Sequence, residues 1–316
     1  MTILITGGAG FIGSSLADRL LNNGEKVVVI DNFNNFYDTS FKEKNISINL
    51  NNPNYKFYRG DICDGDILEK IFRECEISAV VHLAAYAGVR KSFENPLLYA
   101  KNNIGGTINL LEKMIKFNIK KIVFGSSSSV YGNCDADKFS EDLKLSEPIS
   151  PYAASKLACE QFLYTYSKIY GINTVCLRFF TVYGPKQRPD LAICKFFNLI
   201  ENNEPIPVYG DGTAIRDYTY IDDIVSGICA AVEYDKTPYE IVNLGGNYPI
   251  TLSKMIETIE NAIGKKAQIN RMPMQCGDVI KTVSDISKAK ELLNYVPETK
   301  FEEGINKYLQ WRKNNK

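Results

Sequence analysis

Short runs rich in β-branched and aromatic residues recur along the first half of the chain: TILIT (2–6), KVVVI (26–30), YKFYR (55–59), AVVHLA (79–84), KIVFGS (121–126) and NTVCLRF (173–179). The segments between them, such as SSLADRLLNNG and NIGGTINLLEKMIKFN, are long enough for a helix each. Apolar strands separated by helical crossovers imply parallel pairing with both sheet faces covered. The pattern predicts an α/β fold on a doubly wound parallel sheet. Past residue 180 the rhythm changes, with proline and glycine frequent in YGPKQRPD, NNEPIPVYGDGT, NLGGNYPIT and MPMQCGD, which read as loops and short strands with helices between. The expected division is a large unit over residues 1–178, to which a segment around 212–245 returns, and a smaller C-terminal α/β unit over 179–316. The Asn-rich patch at 45–54 reads as a loop, and the sequence shows no internal repeat.

With 316 residues and 45% hydrophobic content, the chain can bury a large core. Lys plus Arg and Asp plus Glu are both 37, so the net charge is zero. That balance argues against a nucleic-acid or anionic-membrane surface but leaves room for a local basic pocket. The eight cysteines have no C-x-x-C spacing, and His82 is the one histidine, so no zinc site is expected. Unpaired thiols suit a reducing cytoplasm. A first strand beginning at Thr2 leaves no room for a signal peptide, and no apolar run approaches the ~20 residues of a membrane span.

TGGAGFIG follows the first strand and opens a helix, spacing Gly7, Gly10 and Gly13 as G-x-x-G-x-x-G. Glycines there let the backbone turn tightly and approach a pyrophosphate, whose charge sits on the open amides of the helix. Asp31, closing the second strand, is placed to accept hydrogen bonds from adenosine ribose hydroxyls and to repel a 2′-phosphate, which selects NAD over NADP. Asp61-Ile62 can flank adenine in the same way, although Asp61 also suits a helix N-cap. In SPYAASK, Tyr152 and Lys156 are four apart and share a helix face. A tyrosine of ordinary pKa ~10 is about a thousandth ionised at neutral pH, and lowering it by ~3 units takes roughly 4 kcal/mol, within reach of two close cations. Tyr152 then becomes a usable general base. Ahead of it stands FGSSSSVYG (124–132), four consecutive serines that strand and helix propensity do not explain.

The glycine turn, Asp31, a serine before VYG and the Tyr152/Lys156 pair together resemble the extended short-chain dehydrogenase/reductase superfamily, in its branch of NAD-dependent nucleotide-sugar epimerases and dehydratases. DNFNNFYD (31–38), AGVRKSFENP (87–96), RFFTVYGPKQRPDLA (178–192) and MPMQCGDVIKT (272–282) look most like UDP-glucuronate 4-epimerases. The resemblance spans nearly the whole chain. It implies a Rossmann fold, with residues 1–178 as the NAD-binding domain and 179–316 mainly binding the UDP-sugar. It implies catalysis by Ser127, Tyr152 and Lys156 through a 4-keto sugar. Gly7, Gly10, Phe11, Ile12, Gly13, Asp31, Asn32, Asp61, Ile62, Leu83, Ala84, Ala85 and Asn102 would hold the cofactor with Tyr152 and Lys156. Arg90, Ser128, Ser129, Thr181, Arg188, Val208, Tyr209, Arg216 and Asp278 would meet the UDP-sugar, Arg216 pairing with the pyrophosphate. Ser126 would face the cofactor or the fold, and His82 is read as a core residue. Dehydratases of the family carry an Asp-Glu pair after the catalytic residue, where this chain has Ser128 and Ser129. Relatives acting on neutral hexoses have Asn at Thr181 and a Lys near Ala87, and a second family arginine is replaced at Gln275 and Cys276. The resemblance also implies a homodimer, paired through helices corresponding roughly to 95–116 and 152–169.

Overall fold

The protein is described here by a computed structural model covering residues 1–145, 147–274 and 279–315. Strands β1 (Thr2–Thr6), β2 (Lys26–Asp31), β3 (Tyr55–Arg59), β4 (Ala79–His82), β5 (Lys121–Ser127) and β6 (Asn173–Phe179) form where the apolar runs predict them. Three short strands follow, β7 (Thr181–Tyr183), β8 (Ile206–Tyr209) and β9 (Ile215–Tyr220), then β10 (Tyr239–Leu244), β11 (Pro249–Thr251), β12 (Ile269–Met272) and β13 (Lys281–Thr282). The main sheet has seven strands in the order β10-β6-β5-β4-β1-β2-β3, each pair parallel. Its edge strand β10 comes from the segment around 212–245, and so does the helix Ile221–Glu233, which packs on the helix Phe11–Asn22. Strand β9 of the same segment lies elsewhere, in a four-stranded sheet with β7, β11 and β13.

Successive strand residues point to opposite faces, and the core divides accordingly. Ile3, Ile5, Val27, Val29, Val81 and Val123 join one apolar cluster, while Leu4, Val28, Ile30, Val80, Ile122 and Phe124 join another across the sheet. Two buried faces explain why these strands read as continuous hydrophobic runs. Chain order reverses between β1 and β4, and in such sheets the crevice at the carboxyl ends of the strands beside that reversal takes ligands.

Two local features depart from the sequence reading. The Asn-rich patch is not all loop, because the helix Ser40–Ser47 takes in Asn45, whose buried side chain donates to the Ala9 carbonyl at 3.1 Å. Before the helix Gly106–Lys116 the chain runs as a π-helix over Ala100–Gly105, a widened turn that often marks a functional position.

His82 is a core residue. Thr107 donates to the Asn103 carbonyl at 2.5 Å, so its oxygen accepts from His82 Nε2 at 2.9 Å, leaving Nδ1 to accept from Thr6 at 2.6 Å. This chain fixes the neutral tautomer, and burial lowers the ring's pKa to about 3. A depressed folded pKa means that the unfolded chain binds the proton first as pH falls. Stability should therefore drop from about pH 6.5 downward, by ~1.4 kcal/mol per unit from this residue. Because the chain has one histidine, its ring carbon resonance is unambiguous: it should not titrate between pH 8 and 5, and a shift centred near 6.5 would contradict the buried neutral ring.

Candidate active site

The glycine turn is a cradle that side chains would fill. Gly7 sits at φ +71°, and a Cβ there would stand 2.8 Å from the Ala84 nitrogen. One on Gly13 would stand 2.4 Å from the Gly7 carbonyl oxygen. Gly10 caps the helix Phe11–Asn22 without a side chain, so the first amides of that helix face outward, as an anion site requires. The turn therefore fits a dinucleotide pyrophosphate.

Asp31 closes β2 with its carboxylate accepting from the amides of Phe33 (2.9 Å) and Ala9 (3.2 Å). Lys42, buried in the helix Ser40–Ser47, places its ammonium 3.2 Å from the same carboxylate, with the Tyr37 ring 5.4 Å away. The sequence reading missed this lysine because nothing local ties it to Asp31. Asp61 accepts from Asn32 Nδ2 and the Cys63 amide, each at 2.8 Å. It is not a helix cap, since Asp64 takes that place for Gly65–Glu74.

A cavity of about 290 Å³ opens at the strand ends. The glycine turn (Gly7, Gly10, Phe11, Ile12, Gly13) lines it with Asp31, Asn32, Asp61 and Ile62. Leu83, Ala84, Ala85, Asn102, Tyr152 and Lys156 complete the residues assigned to the cofactor, and all of them border this one space. Arg188 reaches it too, beside Asn34, Phe36 and Tyr37, which the sequence reading did not single out. Asn103, also missed, shares bonds with the Tyr86 backbone and Ser155, tying the wall after β4 to the helix Pro151–Tyr170.

Ser150 caps that helix by accepting from the Ala153 amide at 3.1 Å, and Pro151 holds its first position, so Tyr152 projects from the first turn. The Ser127 side chain stands beside the Tyr152 hydroxyl. Burial raises the phenol's pKa, opposed by the Ser127 hydroxyl and by the Arg188 charge. This differs from the expectation that the Lys156 ammonium acts on the phenol directly. Lys156 instead donates to the Gly125 carbonyl at 2.6 Å and lies 4.6 Å from the Phe124 ring centre, where burial lowers its pKa to about 8.

Among the described residues, the proposed sugar contacts other than Arg188 lie outside this lining, while Ser126 borders it. Ser127 caps the short helix Ser128–Tyr131, accepting from the Ser129 amide at 3.2 Å and the Ser129 hydroxyl at 2.9 Å, so the Ser129 proton is used within the serine row. Ser126 donates to Glu160 at 2.6 Å. Thr181 begins β7 opposite Tyr218 of β9. The Arg188 fork grips both oxygens of Asp190 at 3.0 Å, its guanidinium 5.2 Å from the Phe36 ring centre. Arg90 stacks on Tyr209 at 4.5 Å. The Val208 side chain is buried in the core, in β8 opposite Arg271 of β12. Arg216 donates to the Ile215 carbonyl at 2.9 Å. Asp278, Gln275 and Cys276 lie outside the described residues.

Residues 4–308 match the family model for GDP-mannose 4,6 dehydratase. The chain belongs to the extended short-chain dehydrogenase/reductase family. Within this family it is 46% identical to the UDP-glucuronate 4-epimerase of Thermodesulfobacterium geofontis over 313 residues, 99% of this chain and 96% of that one. Its structure matches that of UDP-glucuronic acid 4-epimerase from Bacillus cereus, solved in complex with UDP-glucuronic acid and NAD, with a TM-score of 0.94 and 39% identity over 100% of both chains. DesIV, a dTDP-glucose 4,6-dehydratase of the same family from Streptomyces venezuelae, matches with a TM-score of 0.92 and 28% identity over 100% of this chain and 98% of that one. Structures of an epimerase and of a dehydratase thus both match this fold.

Proposed function

We propose that this protein is an NAD-dependent epimerase that inverts C4 of a UDP-sugar, with UDP-glucuronate as the substrate. The observation that carries the reading is one cavity bordered by the glycine turn and Asp31 at one part and by Tyr152, Lys156 and Arg188 at another, with Ser127 beside the phenol. The likeness to the Thermodesulfobacterium and Bacillus epimerases supports it.

The glycine turn would hold the pyrophosphate, Asp31 a ribose, and Lys156 with Asn102 the reactive end. Bound NAD would supply a hydride acceptor and donor beside C4 of the sugar. Tyr152 takes the proton of the 4-hydroxyl and later gives it back, while Ser127 donates to the same oxygen as it becomes a carbonyl. Ser128 and Ser129, standing where a dehydratase carries acids, offer no group suited to eliminating water. Residues 1–178 form the cofactor part, completed by β10, and 179–316 mainly the sugar part, with Arg216, Arg90, Val208, Tyr209 and Asp278 toward the UDP.

Asp31 should make NAD bind at least about tenfold more tightly than NADP, by ribose hydrogen bonding to one and charge repulsion of the other. Calorimetry reads both affinities, and parity would show that Lys42 cancels the carboxylate's charge.

A 4-keto uronate is a β-keto acid that loses CO2 when its carboxylate bond aligns with the carbonyl π system. The enzyme must keep that group out of alignment, and Arg188, Thr181 and Ser128 are the donors suited to do so, the Ser129 proton being taken by Ser127. Arg188→Ala should lower the yield of epimer by about tenfold and raise CO2 release, a charged hydrogen bond of ~1.5–3 kcal/mol being lost. Unchanged partitioning, measured as CO2 against epimer, would place the carboxylate elsewhere.

Among the described residues no helix is long and apolar enough to cross a membrane. The free thiols of Cys159, Cys176 and Cys194, all buried, support a reducing cytoplasm. Exposed Leu97, Phe162 and Ile169 on the helices Pro96–Tyr99 and Pro151–Tyr170 support a homodimer through that face. The deciding experiment is incubation of the pure protein with UDP-glucuronate, UDP-glucose and UDP-N-acetylglucosamine in turn, with products identified by NMR. C4 epimerisation of UDP-glucuronate without NADH accumulation is expected. Turnover of a neutral sugar alone would move the substrate, and no turnover of any would end the epimerase reading.

A further inference from the structure

We propose that Glu160, held by Arg178, is a positioning residue for this reaction: it fixes the end of β5 against the catalytic helix so that Ser127 and Tyr152 meet. The inference rests on the epimerase reading above.

Three consecutive residues at the end of β5 are each tied to one stripe of the helix Pro151–Tyr170. The Gly125 carbonyl accepts from Lys156 at 2.6 Å, the Ser126 hydroxyl donates to Glu160 at 2.6 Å, and the Ser127 side chain stands beside the Tyr152 hydroxyl. Residues 152, 156 and 160 are successive turns of one helix face. Of the three ties, the one through Glu160 is farthest from the reacting oxygen and the most elaborately supported.

Arg178 is the register partner of Ser126 on β6. Its guanidinium grips both Glu160 oxygens, Nε at 3.0 Å and Nη2 at 2.7 Å, and its Nη1 donates to the Tyr131 hydroxyl at 3.0 Å. Tyr131 donates onward to Asn243 of β10 at 2.7 Å, and the Tyr239 hydroxyl donates to the Glu160 carbonyl at 3.0 Å. Glu160 and Asn243 are 0% exposed, Arg178 2% and Ser126 3%. The network thus joins the catalytic helix, three adjacent strands and the VYG segment after the serine row.

A buried ion pair adds little net stability, since the desolvation of both charges offsets their attraction, and an apolar pair of similar volume often serves as well. What it does supply is direction. The pair's fixed fork geometry allows one placement of the Glu160 carboxylate, and that carboxylate allows one rotamer of Ser126. Ser126 and Ser127 share a peptide, so a slip of the strand end at one moves the other. A misplacement of the order of 1 Å at a reacting group can cost about 10²-fold in rate. Glu160 also sets a negative charge one turn from Lys156. The other groups around that ammonium are Cys159 on its own helix, Cys176 on β6, His82 on β4, and the Phe124 ring and Gly125 carbonyl of β5.

Removing Glu160 alone would strand a buried guanidinium, so the test uses Ser126→Ala, Ser126→Thr and the charge-free pair Glu160→Gln/Arg178→Gln in the full chain. Wild type is assayed alongside on UDP-glucuronate, UDP-glucose and UDP-N-acetylglucosamine. Ser126→Ala should lower kcat about tenfold or more while KM for the sugar and Kd for NAD stay within twofold, and Ser126→Thr should restore most of the rate. The double variant, where folded, should show the same split, with the acid limb of its kcat–pH profile displaced. Ser126→Ala with kcat within twofold of wild type overturns the inference, whether or not the double variant folds. A loss spread equally over kcat, KM and NAD affinity also overturns it, as a general structural role would produce that. An inactive wild type would instead overturn the epimerase reading.

Discussion

Tyr152→Phe should lower kcat for C4 epimerisation on the order of 10³-fold while NAD binding and thermal stability stay as they are. The phenol is the group to which proton transfer is assigned, and a well-placed general base contributes about 10²- to 10⁴-fold. The rest of the side chain packs without it: the ring meets Tyr99 edge-on at 6.2 Å, a contact phenylalanine keeps. Burial raises the phenol's pKa, so the protein must assemble positive charge around it before it can act at neutral pH, and Arg188 already contributes. Since the active form is the deprotonated one, wild-type kcat should fall as pH drops through the phenol's pKa in the working complex. Ser127→Ala should cost less, about 10²-fold, because one oxyanion donor is lost while the base remains. Single-turnover kinetics with UDP-glucuronate would measure both. Activity of the phenylalanine variant within tenfold of wild type would assign the proton to another group.

Gly13→Ala should have the second large effect, on the cofactor. A methyl group there meets the Gly7 carbonyl oxygen at 2.4 Å and the Gly8 Cα at 2.7 Å, both backbone atoms that no rotamer change can move. The turn has to open, carrying the Gly7 and Gly10 backbone away from the anion they face. Overpacking of this kind costs about 1–3 kcal/mol of stability. The loss of NAD affinity should be larger, about 100-fold, because several amide contacts to one pyrophosphate go together. Calorimetry and a thermal melt on one sample separate the two, and an alanine variant binding NAD within threefold of wild type would show that the turn yields elsewhere.

Which of these features were legible in the sequence follows from whether their causes are local. Six strands of the main sheet were readable because burial on both faces leaves a continuous apolar run, as in KVVVI. The seventh, YEIVNL, was not marked as a strand, because its Glu240 and Asn243 interrupt the run. Asn243 is there for a tertiary reason, as it accepts from Tyr131 and donates to the Phe139 carbonyl. The glycine turn and the Tyr152/Lys156 pair were legible because fixed backbone geometry and helical spacing impose them. Lys42 was not, since only the fold brings it to Asp31. The serine row divides the same way: Ser127 was assigned by resemblance, whereas Ser126's partner Glu160 is 34 residues on and visible only once β5 and the catalytic helix are side by side.

The placement of β10 has a consequence for the protein's synthesis. Strand β6 is complete at Phe179, yet the strand that covers its outer edge runs from Tyr239 to Leu244. While the ribosome makes the intervening stretch, β6 presents an unpaired ladder beside buried-type residues such as Val175 and Leu177, the kind of edge that recruits other chains. Parallel pairing over such a separation is also slow to close. Chains released before β10 emerges should aggregate, and a holding chaperone would have its greatest influence on yield during that interval of translation.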